Sequence, residues 1–596
     1  MPFTITPSAT SFPVGNVPAG KGLATPIPFT IECPAGTQLN IVLGPLVNAT
    51  FEVLGWRYTG LSGPVYVAGS ILNLDASLGL DVTLFVRAKT DLLIVPPLPF
   101  STTFDIHGVA GLAIADSGNL VVSGTVVAAD VNRAAIDLVL DRSHFMDTTT
   151  TARAKAACGR LIDFMSDADW LGVATYTTAV THKLSVRELT PDNRNTAKLM
   201  IAGVKPTTLE SSLFQAVDFV SNYLSELPGA CVCTPDSRAM MLLSMGQETL
   251  GAPLPALGAA RRFAIALGPT PGLLPSVTSD YFVLGNTADP NEMFRLDKFL
   301  LQSLAQMSGL AVILDPSGTL DGAREVSVPF DVADTDSNVR VLLLVDEPEH
   351  VQLELKVGDQ HIPPHEFPGA SLLRGSGSLE FSLDRTVLEQ THPDEEGCKP
   401  HHKKWRPEPK GQALPAPLPS KTWNAVLSLS KAALARGTRL RPVPWTLIVF
   451  AESDLHFTAS AHLDNDYIGG LAYLSAWLSE HGSPVTGERV RVLAEVSYPD
   501  GGTGTIRLTE TVAGRFEATV RCTIPGAYRY RILAAGTTFR KKPFKRELTR
   551  TTFTRSRTSH ECGPCVTHQA CAPHGKHPHH APKSSEDDED DDEMEG

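Results

Sequence analysis

Between residues 134 and 310, short apolar strands alternate with helical segments, and this alternation constrains the fold more than any other feature. Its first run, Ala135–Leu140, is apolar apart from Asp137, which is typical of a strand buried on both faces of a sheet. The runs that follow are, in order, 151–164 (helical), 170–176, 209–224 (helical), 239–244, 262–268 and 293–307 (helical). Such an order predicts a mostly parallel sheet with helices on both faces.

On both sides of this region the sequence is typical of antiparallel β-structure. Stretches rich in Val, Ile and Thr alternate at period two and end at Gly, Pro or Asn. We therefore predict a multidomain protein that combines α/β and all-β domains. The predicted domains are 1–130 (β-rich), 131–315 (α/β), 316–465 (a β-sandwich with an exposed linker at 390–420), 466–554 (a second β-sandwich) and 555–596 (a disordered tail).

The charge of the chain is concentrated in that tail, which is basic, then rich in Cys and His, then acidic. Of the formal net charge of −14, nine negative charges lie in 586–595, which leaves −5 for the rest of the chain. Phosphate binding requires clustered positive charge, so this balance argues against nucleic-acid binding. A basic run at 540–557 is the exception. We attribute it to compensation by the acidic tail or to a solvated strand face, with a site for nucleic acid or an acidic surface as the weaker alternative.

Three short motifs at 134–310 resemble, in the same order, those of the von Willebrand factor A (vWA) family. Asp141-Arg142-Ser143-His144-Phe145 follows the first strand, where the family has Asp-x-Ser-x-Ser. Lys205-Pro206-Thr207-Thr208-Leu209 stands where the family has a loop with a metal-associated Thr, and Ser244-Met245-Gly246 stands where a strand ends in Thr-Asp-Gly. The resemblance implies a central doubly wound, Rossmann-like vWA domain.

In that family a divalent cation sits at the C-terminal edge of the sheet, in a metal-ion-dependent adhesion site (MIDAS). The resemblance places Asp141, Ser143 and Thr207 at this site, whereas Phe145 replaces the second Ser and Met245 replaces the Asp of the third loop. A phenyl ring offers no donor, and a thioether is a poor ligand for Mg²⁺ or Ca²⁺. We therefore expect a degenerate MIDAS without a cation.

The alternative is a partial site that still binds Mg²⁺ or Ca²⁺, with water, Asp147 or Asp236 filling the missing positions. The flanks extend the resemblance to bacterial vWA proteins and to accessory proteins of calcium-activated chloride channels. In some members the sandwich takes strands from both sides of the vWA domain, which implies pairing of 95–130 with 325–455. Residues 466–554 resemble an immunoglobulin-like or fibronectin-like module.

The nine cysteines are odd in number and scattered, unlike a disulfide framework. In the tail, a compact group of soft ligands suits Zn²⁺, and it consists of Cys562, Cys565, His568 and Cys571. The alternative is a tail that binds metal adventitiously or is sensitive to oxidation. Cys398 with His401 and His402 is a weaker candidate for such a site, and Cys231 and Cys233 are weak candidates for a strained disulfide.

The sequence contains no Walker A loop, no Gly-x-Ser-x-Gly elbow and no Gly-x-Gly-x-x-Gly turn after its first parallel strand. His144 is the only histidine outside the tail and linker that lies beside a motif. We therefore expect no enzyme but a vWA-type scaffold or protein-interaction subunit, which assembles with itself or a protein partner without a cation. A metal-dependent adhesion or binding protein is the alternative.

The location of the protein is predicted from two features of the chain. No apolar run reaches the roughly 20 residues that span a bilayer. The first residues have neither the basic nor the apolar region of a secretory signal. A cytoplasmic protein is expected on these grounds, and an extracellular or surface-associated protein whose leader is absent from this chain is the alternative.

Overall fold

The β-rich, multidomain architecture predicted from the sequence is confirmed. The computed structural model describes ten strands between Thr4 and Val127, then residues 134–556 with interruptions. The residues left out of the second part are 168, 228–237, 256–259, 286–293, 322–324, 359, 385–387, 389–421 and 436–441. The chain divides into two units, Met1–Arg555 and Ser556–Gly596. The strands of the described residues form six sheets.

The N-terminal region contains two five-stranded sheets. The first has the order β1 (Thr4–Pro7), β3 (Ala24–Glu32), β8 (Leu80–Ala88), β5 (Phe51–Gly60), β6 (Gly63–Ala68). The second has the order β2 (Ser11–Pro18), β10 (Ala113–Val127), β9 (Leu98–Ala110), β4 (Thr37–Gly44), β7 (Ile71–Ala76). Strands β9 and β10 pair with each other and with β4 and β2. The implied pairing of 95–130 with 325–455 is therefore wrong, because both edges of each strand are occupied within this sheet.

The central sheet carries the predicted alternation of strands and helices. Its order is β13 (Val180–Glu188), β12 (Trp170–Tyr176), β11 (Ala135–Asp141), β14 (Arg238–Ser244), β15 (Arg261–Ala266), β16 (Tyr281–Val283). All neighbouring strands are parallel except β13, which pairs antiparallel to β12 at one edge. The helices of this region are α1 (Thr148–Phe164), α2 (Pro191–Ala202), α3 (Leu213–Ser225), α4 (Arg295–Met307) and a 3₁₀ turn at Leu274–Ser276.

Alternate residues of β11 face two separate apolar cores. Ile136 and Leu138 pack in a core that includes residues of α1 and α4, and Ala135 and Val139 pack in another that includes residues of α3. Every residue of β11 is buried. Helices therefore cover both faces of the central strand, which explains why its sequence is almost continuously apolar.

Two sheets follow and enclose a separate core. One has the order β17 (Leu310–Leu314), β26 (Val443–Ser453), β20 (Asp336–Leu344), β24 (Ser378–Leu383), β23 (Ala370–Gly375), with β18 (Ser317–Leu320) also on β26. The other has the order β19 (Val326–Phe330), β25 (Trp423–Leu429), β21 (Val351–Val357), β22 (Gln360–His361). Inward-facing residues such as Leu343 and Trp423 fill the space between them. A 3₁₀ turn at Pro348–His350 and the short helix α5 (Lys431–Ala435) complete this sandwich.

The C-terminal sheet has the order β27 (Leu455–Leu463), β28 (Leu471–Glu480), β32 (Arg515–Arg521), β31 (Thr503–Val512), β30 (Val490–Ser497), β33 (Gly526–Thr537), β34 (Pro543–Thr554), with β29 (Ser483–Pro484) on β28. Because β27 pairs with β28, this sheet begins at Leu455, upstream of the boundary at 466 that the sequence predicts. The two ends of the sheet meet, since Arg550 Nε on β34 donates to Ala459 O on β27 at 2.8 Å.

The N-terminal region packs on the C-terminal sheet through Phe85. This side chain is 1% exposed, and its ring lies 5.9 Å from that of Phe539 and 6.1 Å from that of His481. Arg57 Nη1 donates to Ser483 Oγ at 3.4 Å in the same region. No helix in the described part of the chain is long and apolar enough to span a membrane.

The C-terminal sheet also buries charge against the rest of the molecule. Glu547 on β34 is 2% exposed and accepts from Arg531 Nη2 at 2.5 Å. Burial and, to a lesser degree, the nearby Asp315 carboxylate raise the pKa of Glu547 to about 7. Asp315 is itself buried and lies 2.7 Å from Lys298 Nζ. A carboxyl group in this position takes up a proton more readily in the folded than in the unfolded chain.

A pH dependence follows from the raised pKa of Glu547. Because the folded chain holds the proton of Glu547 more tightly, protonation stabilises the folded state. This stabilisation is fully present below the unfolded pKa, near 4.5, and is lost as the pH rises through about 7. We expect Glu547→Gln to lose less stability than the wild type between pH 5 and pH 8, by at most about 3 kcal/mol. Urea unfolding midpoints at four pH values test this, with the exposed Glu488→Gln as control. Parallel curves for wild type and Glu547→Gln would contradict the prediction.

Candidate functional site

The C-terminal edge of the central sheet is organised around Asp141, the last residue of β11. Asp141 is 1% exposed. Its Oδ1 accepts from the backbone N of Ser143 at 2.8 Å, and its Oδ2 accepts from Ser244 Oγ at 3.0 Å and from the backbone N of Met245 at 3.4 Å. Both carboxylate oxygens are thus engaged by donors of the protein itself.

Ser244 extends this network to the neighbouring strand. Its Oγ lies 2.7 Å from Tyr176 Oη and accepts from the backbone N of Gly246 at 2.8 Å. Burial and, secondarily, the negative charge of Asp141 raise the pKa of Tyr176 well above its usual range. The phenol therefore stays protonated. The loops after β11 and β14 and the end of β12 are held together by one buried hydrogen-bond network.

The structure brings Ser143 beside Asp141 and places Thr207 on an adjacent loop. Ser143 Oγ is buried and has no hydrogen-bond partner in the described part of the chain. Thr207 Oγ1 donates to the backbone O of Arg142 at 2.9 Å and accepts from the backbone N of Leu209 at 3.3 Å. Thr207 therefore joins two loops, and its hydroxyl proton is committed to a backbone carbonyl.

Phe145 and Met245, which stand where the vWA motifs have metal ligands, are packed apolar groups. Phe145 is half-buried, and its ring centroid lies 4.0 Å from that of His144. Met245 is also half-buried and packs on Gly268, where an added Cβ would lie 2.7 Å from Met245 Cε. Neither side chain leaves an oxygen at the position that the resemblance implies.

The side chains at this edge fit a divalent cation poorly. Mg²⁺ and Ca²⁺ take six or more oxygen ligands, whereas Asp141 is the only carboxylate of this network among the described residues, and it already accepts three hydrogen bonds. Among the described residues, no group of three His, Cys, Asp or Glu side chains is placed to hold a metal. Asp147 caps α1 by accepting from the backbone N of Thr150 at 2.6 Å, and Asp236 lies outside the described residues.

Four exposed leucines lie on the loops that extend from this edge, and we call them the apolar rim. They are Leu209 (49% exposed), Leu250 (49%), Leu254 (60%) and Leu273 (38%). The loops that carry them are joined by backbone hydrogen bonds of 2.8 to 2.9 Å, which are His144 N to Leu209 O, Thr249 N to Ser211 O and Leu273 N to Gly246 O. In the sequence, Leu209 ends one of the vWA-like motifs, whereas no motif marks Leu250, Leu254 or Leu273.

Most of the remaining predicted site residues lie outside the described part of the chain. The proposed zinc ligands Cys562, Cys565, His568 and Cys571 lie outside the described residues, as do Cys231, Cys233, Cys398, His401 and His402. His144 is exposed, and its Nδ1 lies 3.2 Å from Leu209 O. Cys158 and Cys522 are free and buried, and burial raises the pKa of the Cys158 thiol to about 12.

Comparisons with known proteins find a limited structural likeness. No family model and no curated protein matches the chain. Solved structures that resemble it include a von Willebrand factor type A protein from Catenulispora acidiphila, with 12% identity and a TM-score of 0.24 over 70% of each chain. Proteins of the vWA type are thus among its structural neighbours.

Two further neighbours match smaller parts of this chain. The conserved hypothetical protein BatB from Bacteroides thetaiotaomicron has 13% identity and a TM-score of 0.24, over 30% of this chain and 99% of its own. Proximal thread matrix protein 1 from the mussel byssus has 14% identity and a TM-score of 0.24, over 33% of this chain and 49% of its own. At these values the likeness supports no statement about function.

Proposed function

We propose that the central region is a doubly wound vWA domain with a degenerate MIDAS. On this proposal the chain is a non-enzymatic scaffold or interaction subunit that assembles with itself, or with another protein, without a cation. The parallel order of β12, β11, β14, β15 and β16 supports the assignment. So does the position of Asp141, at the carboxyl end of the central strand, where ligands of open α/β sheets bind.

The observation that carries the proposal is the occupied carboxylate of Asp141. Asp141 already accepts hydrogen bonds from the backbone N of Ser143 and the hydroxyl of Ser244, at 2.8 and 3.0 Å, so a cation at its oxygens would compete with both donors. The network instead makes the loops rigid, and rigid loops keep the apolar rim in place. Clustered exposed apolar side chains mark interaction surfaces, because their burial gains about 25 cal/mol for each Å² removed from water.

A metal-dependent adhesion or binding protein remains the second candidate, and one observation favours it. Ser143 Oγ is buried beside Asp141 without a partner in the described part of the chain, and an unsatisfied buried hydroxyl is unfavourable unless something binds it. In the tail, Cys562, Cys565, His568 and Cys571 stay a proposed structural zinc site. The module at 466–554 stays a proposed immunoglobulin-like or fibronectin-like spacer.

Size-exclusion chromatography with light scattering, in Mg²⁺, in Ca²⁺ and in EDTA, tests the proposal. We expect one assembly mass in all three buffers. The double variant Leu250→Glu, Leu254→Glu should reduce it to the monomer mass, because it puts two charges into the apolar rim. Leu373→Glu, on the exposed face of β23, is the matched control and should keep the wild-type mass.

Other outcomes of this experiment separate the candidates. A monomer in every buffer contradicts self-assembly and leaves a different protein as the partner. A rise in thermal stability with cation, abolished in Asp141→Ala, contradicts the cation-free proposal and establishes the second candidate. A working site held at 100 times its Kd would add about 2.7 kcal/mol to the stability, which a thermal midpoint detects easily.

A further inference from the structure

An open groove of about 410 Å³ lies where the central sheet, β17 and the C-terminal sheet meet. Arg261, the first residue of β15, lines it together with Asp280, which precedes β16. The groove is therefore at the amino edge of the parallel strands, opposite the edge that carries Asp141. Junctions between domains are common places for small-molecule sites, and this volume lies in their usual range.

One wall of the groove contains a buried cation, Arg550 on β34. The residue is 5% exposed. Its Nε donates to Ala459 O at 2.8 Å, its Nη1 to Thr549 O at 2.8 Å and its Nη2 to Gln306 Oε1 at 3.0 Å. All three acceptors are neutral and use three of the five guanidinium N–H donors. No carboxylate among the described residues accepts a hydrogen bond from Arg550. Burying a charge without a counter-charge is costly.

A second arginine adds to the positive charge of the groove. The Arg261 guanidinium lies 5.2 Å from the centroid of the Phe263 ring. It forms no hydrogen bond or ion pair with the described residues. Among the described residues, Asp280 is the one carboxylate that lines the groove. It interacts electrostatically with Arg550 but forms no ion pair within 4.0 Å with either arginine. Two guanidinium groups therefore face one carboxylate, which leaves a positive site.

The same groove offers an apolar surface. Trp477 on β28 is 43% exposed, and Phe457 and Leu310 are half-buried on neighbouring walls. An indole face and aliphatic groups beside two guanidinium groups suit a ligand with one charged end and one apolar end.

We propose that this groove binds a small molecule that carries an oxyanion, either carboxylate or phosphate, on an apolar or aromatic body. The oxyanion accepts hydrogen bonds from the free N–H groups of Arg550 and from Arg261, and so supplies a directly bonded counter-charge, which Asp280 does not. The apolar body lies against Trp477. This site is independent of the apolar rim and of any cation at Asp141.

Isothermal titration calorimetry of the full chain at low salt tests the proposal with phenyl phosphate, phenylacetate and the neutral phenylacetamide. We expect at least one anion to bind with a Kd below about 1 mM and the amide to bind at least about 10-fold more weakly. Binding of phenyl phosphate alone or of phenylacetate alone identifies the oxyanion. No binding by either anion, or equal binding of the amide, overturns the proposal.

Variants locate the site. Arg261→Gln should weaken binding of the anion by at least about 10-fold, and it leaves the hydrogen bonds of Arg550 in place, so the protein stays folded. Trp477→Ala should weaken it for the aromatic anions only, leaving inorganic phosphate unaffected. The exposed Arg507→Gln on β31 is the matched control and should bind as the wild type does. Unchanged affinity in Arg261→Gln would overturn the assignment even if the anions bind.

Discussion

Replacing His182 with alanine is expected to lower the free energy of unfolding by about 3–5 kcal/mol. His182 Nε2 lies 2.6 Å from Asp137 Oδ2, and Asp137 is completely buried in the middle of β11. Without the imidazole, that carboxylate loses its partner inside the sheet. Removing one member of a buried pair costs more than the pair itself contributes, because the remaining charge stays desolvated.

The pH dependence of the loss in unfolding free energy tests whether the buried charge of Asp137 is its cause. Burial raises the pKa of Asp137, although the hydrogen bond and charge of His182 oppose the increase. In His182→Ala the pKa rises further, so the folded variant is stabilised by protonation at low pH and loses that stabilisation as the pH rises. We expect a larger deficit at pH 8 than at pH 5. An equal deficit at both would contradict the buried-charge explanation.

Three further variants complete this experiment. Asp137→Ala should cost less than His182→Ala, because alanine leaves no charge in the sheet, and the double variant should be more stable than His182→Ala alone. His462→Ala removes an exposed histidine and should change stability by no more than about 0.5 kcal/mol. Chemical unfolding followed by circular dichroism gives the comparison.

Replacing Arg546 with methionine is expected to have a similar effect, about 3–5 kcal/mol, at a different place. Arg546 on β34 bonds to Asp336 Oδ1 on β20 and donates to Ser453 Oγ at 2.9 Å, and both charged side chains are 0% exposed. The contact joins the C-terminal sheet to the sandwich before it. Methionine has similar length but leaves Asp336 buried without its cation.

The expected signature is a loss of cooperativity between the two parts. In Arg546→Met we expect the C-terminal sheet to unfold at lower urea concentration than the rest, as a separate transition. Lys545→Gln is the matched control, since Lys545 is 52% exposed and its contact with Asp331, at 3.3 Å, is a surface ion pair worth at most about 1 kcal/mol. A single transition with an unchanged midpoint in Arg546→Met would contradict the prediction. The double variant Asp336→Leu, Arg546→Met should recover most of the loss.

Much of the central region could be predicted from periodicity. The strand predicted at 170–176 is Trp170–Tyr176, and the helices predicted at 151–164 and 293–307 are Thr148–Phe164 and Arg295–Met307. Three elements were missed, and they are α2, β13 and the three-residue strand β16. In α2 only Ala197 and Ile201 are buried, and in β13 most residues are exposed or half-buried, so that neither carries a strong apolar pattern.

The candidate site was predictable in part. Asp141 and Ser143 are close together because they are two residues apart at the end of a strand, which a motif shows. The sequence also shows that Phe145 and Met245 stand where the vWA motifs have oxygen ligands. The hydrogen bond from Ser244 to Asp141 could not be predicted, because the two residues are 103 positions apart and meet only through the pairing of β11 with β14.

The sequence by itself determined most of the local elements of this protein and the alternation of strands and helices in its centre. These depend on side-chain periodicity and residue type, which are local properties. Only the tertiary structure decided that Asp137 is paired with His182, that four scattered leucines form one rim, and that Arg261 and Arg550 line one groove. Arg550 and Gln306 lie 244 positions apart in the chain. Contacts over such separations follow from sheet order and domain packing, which local patterns do not encode.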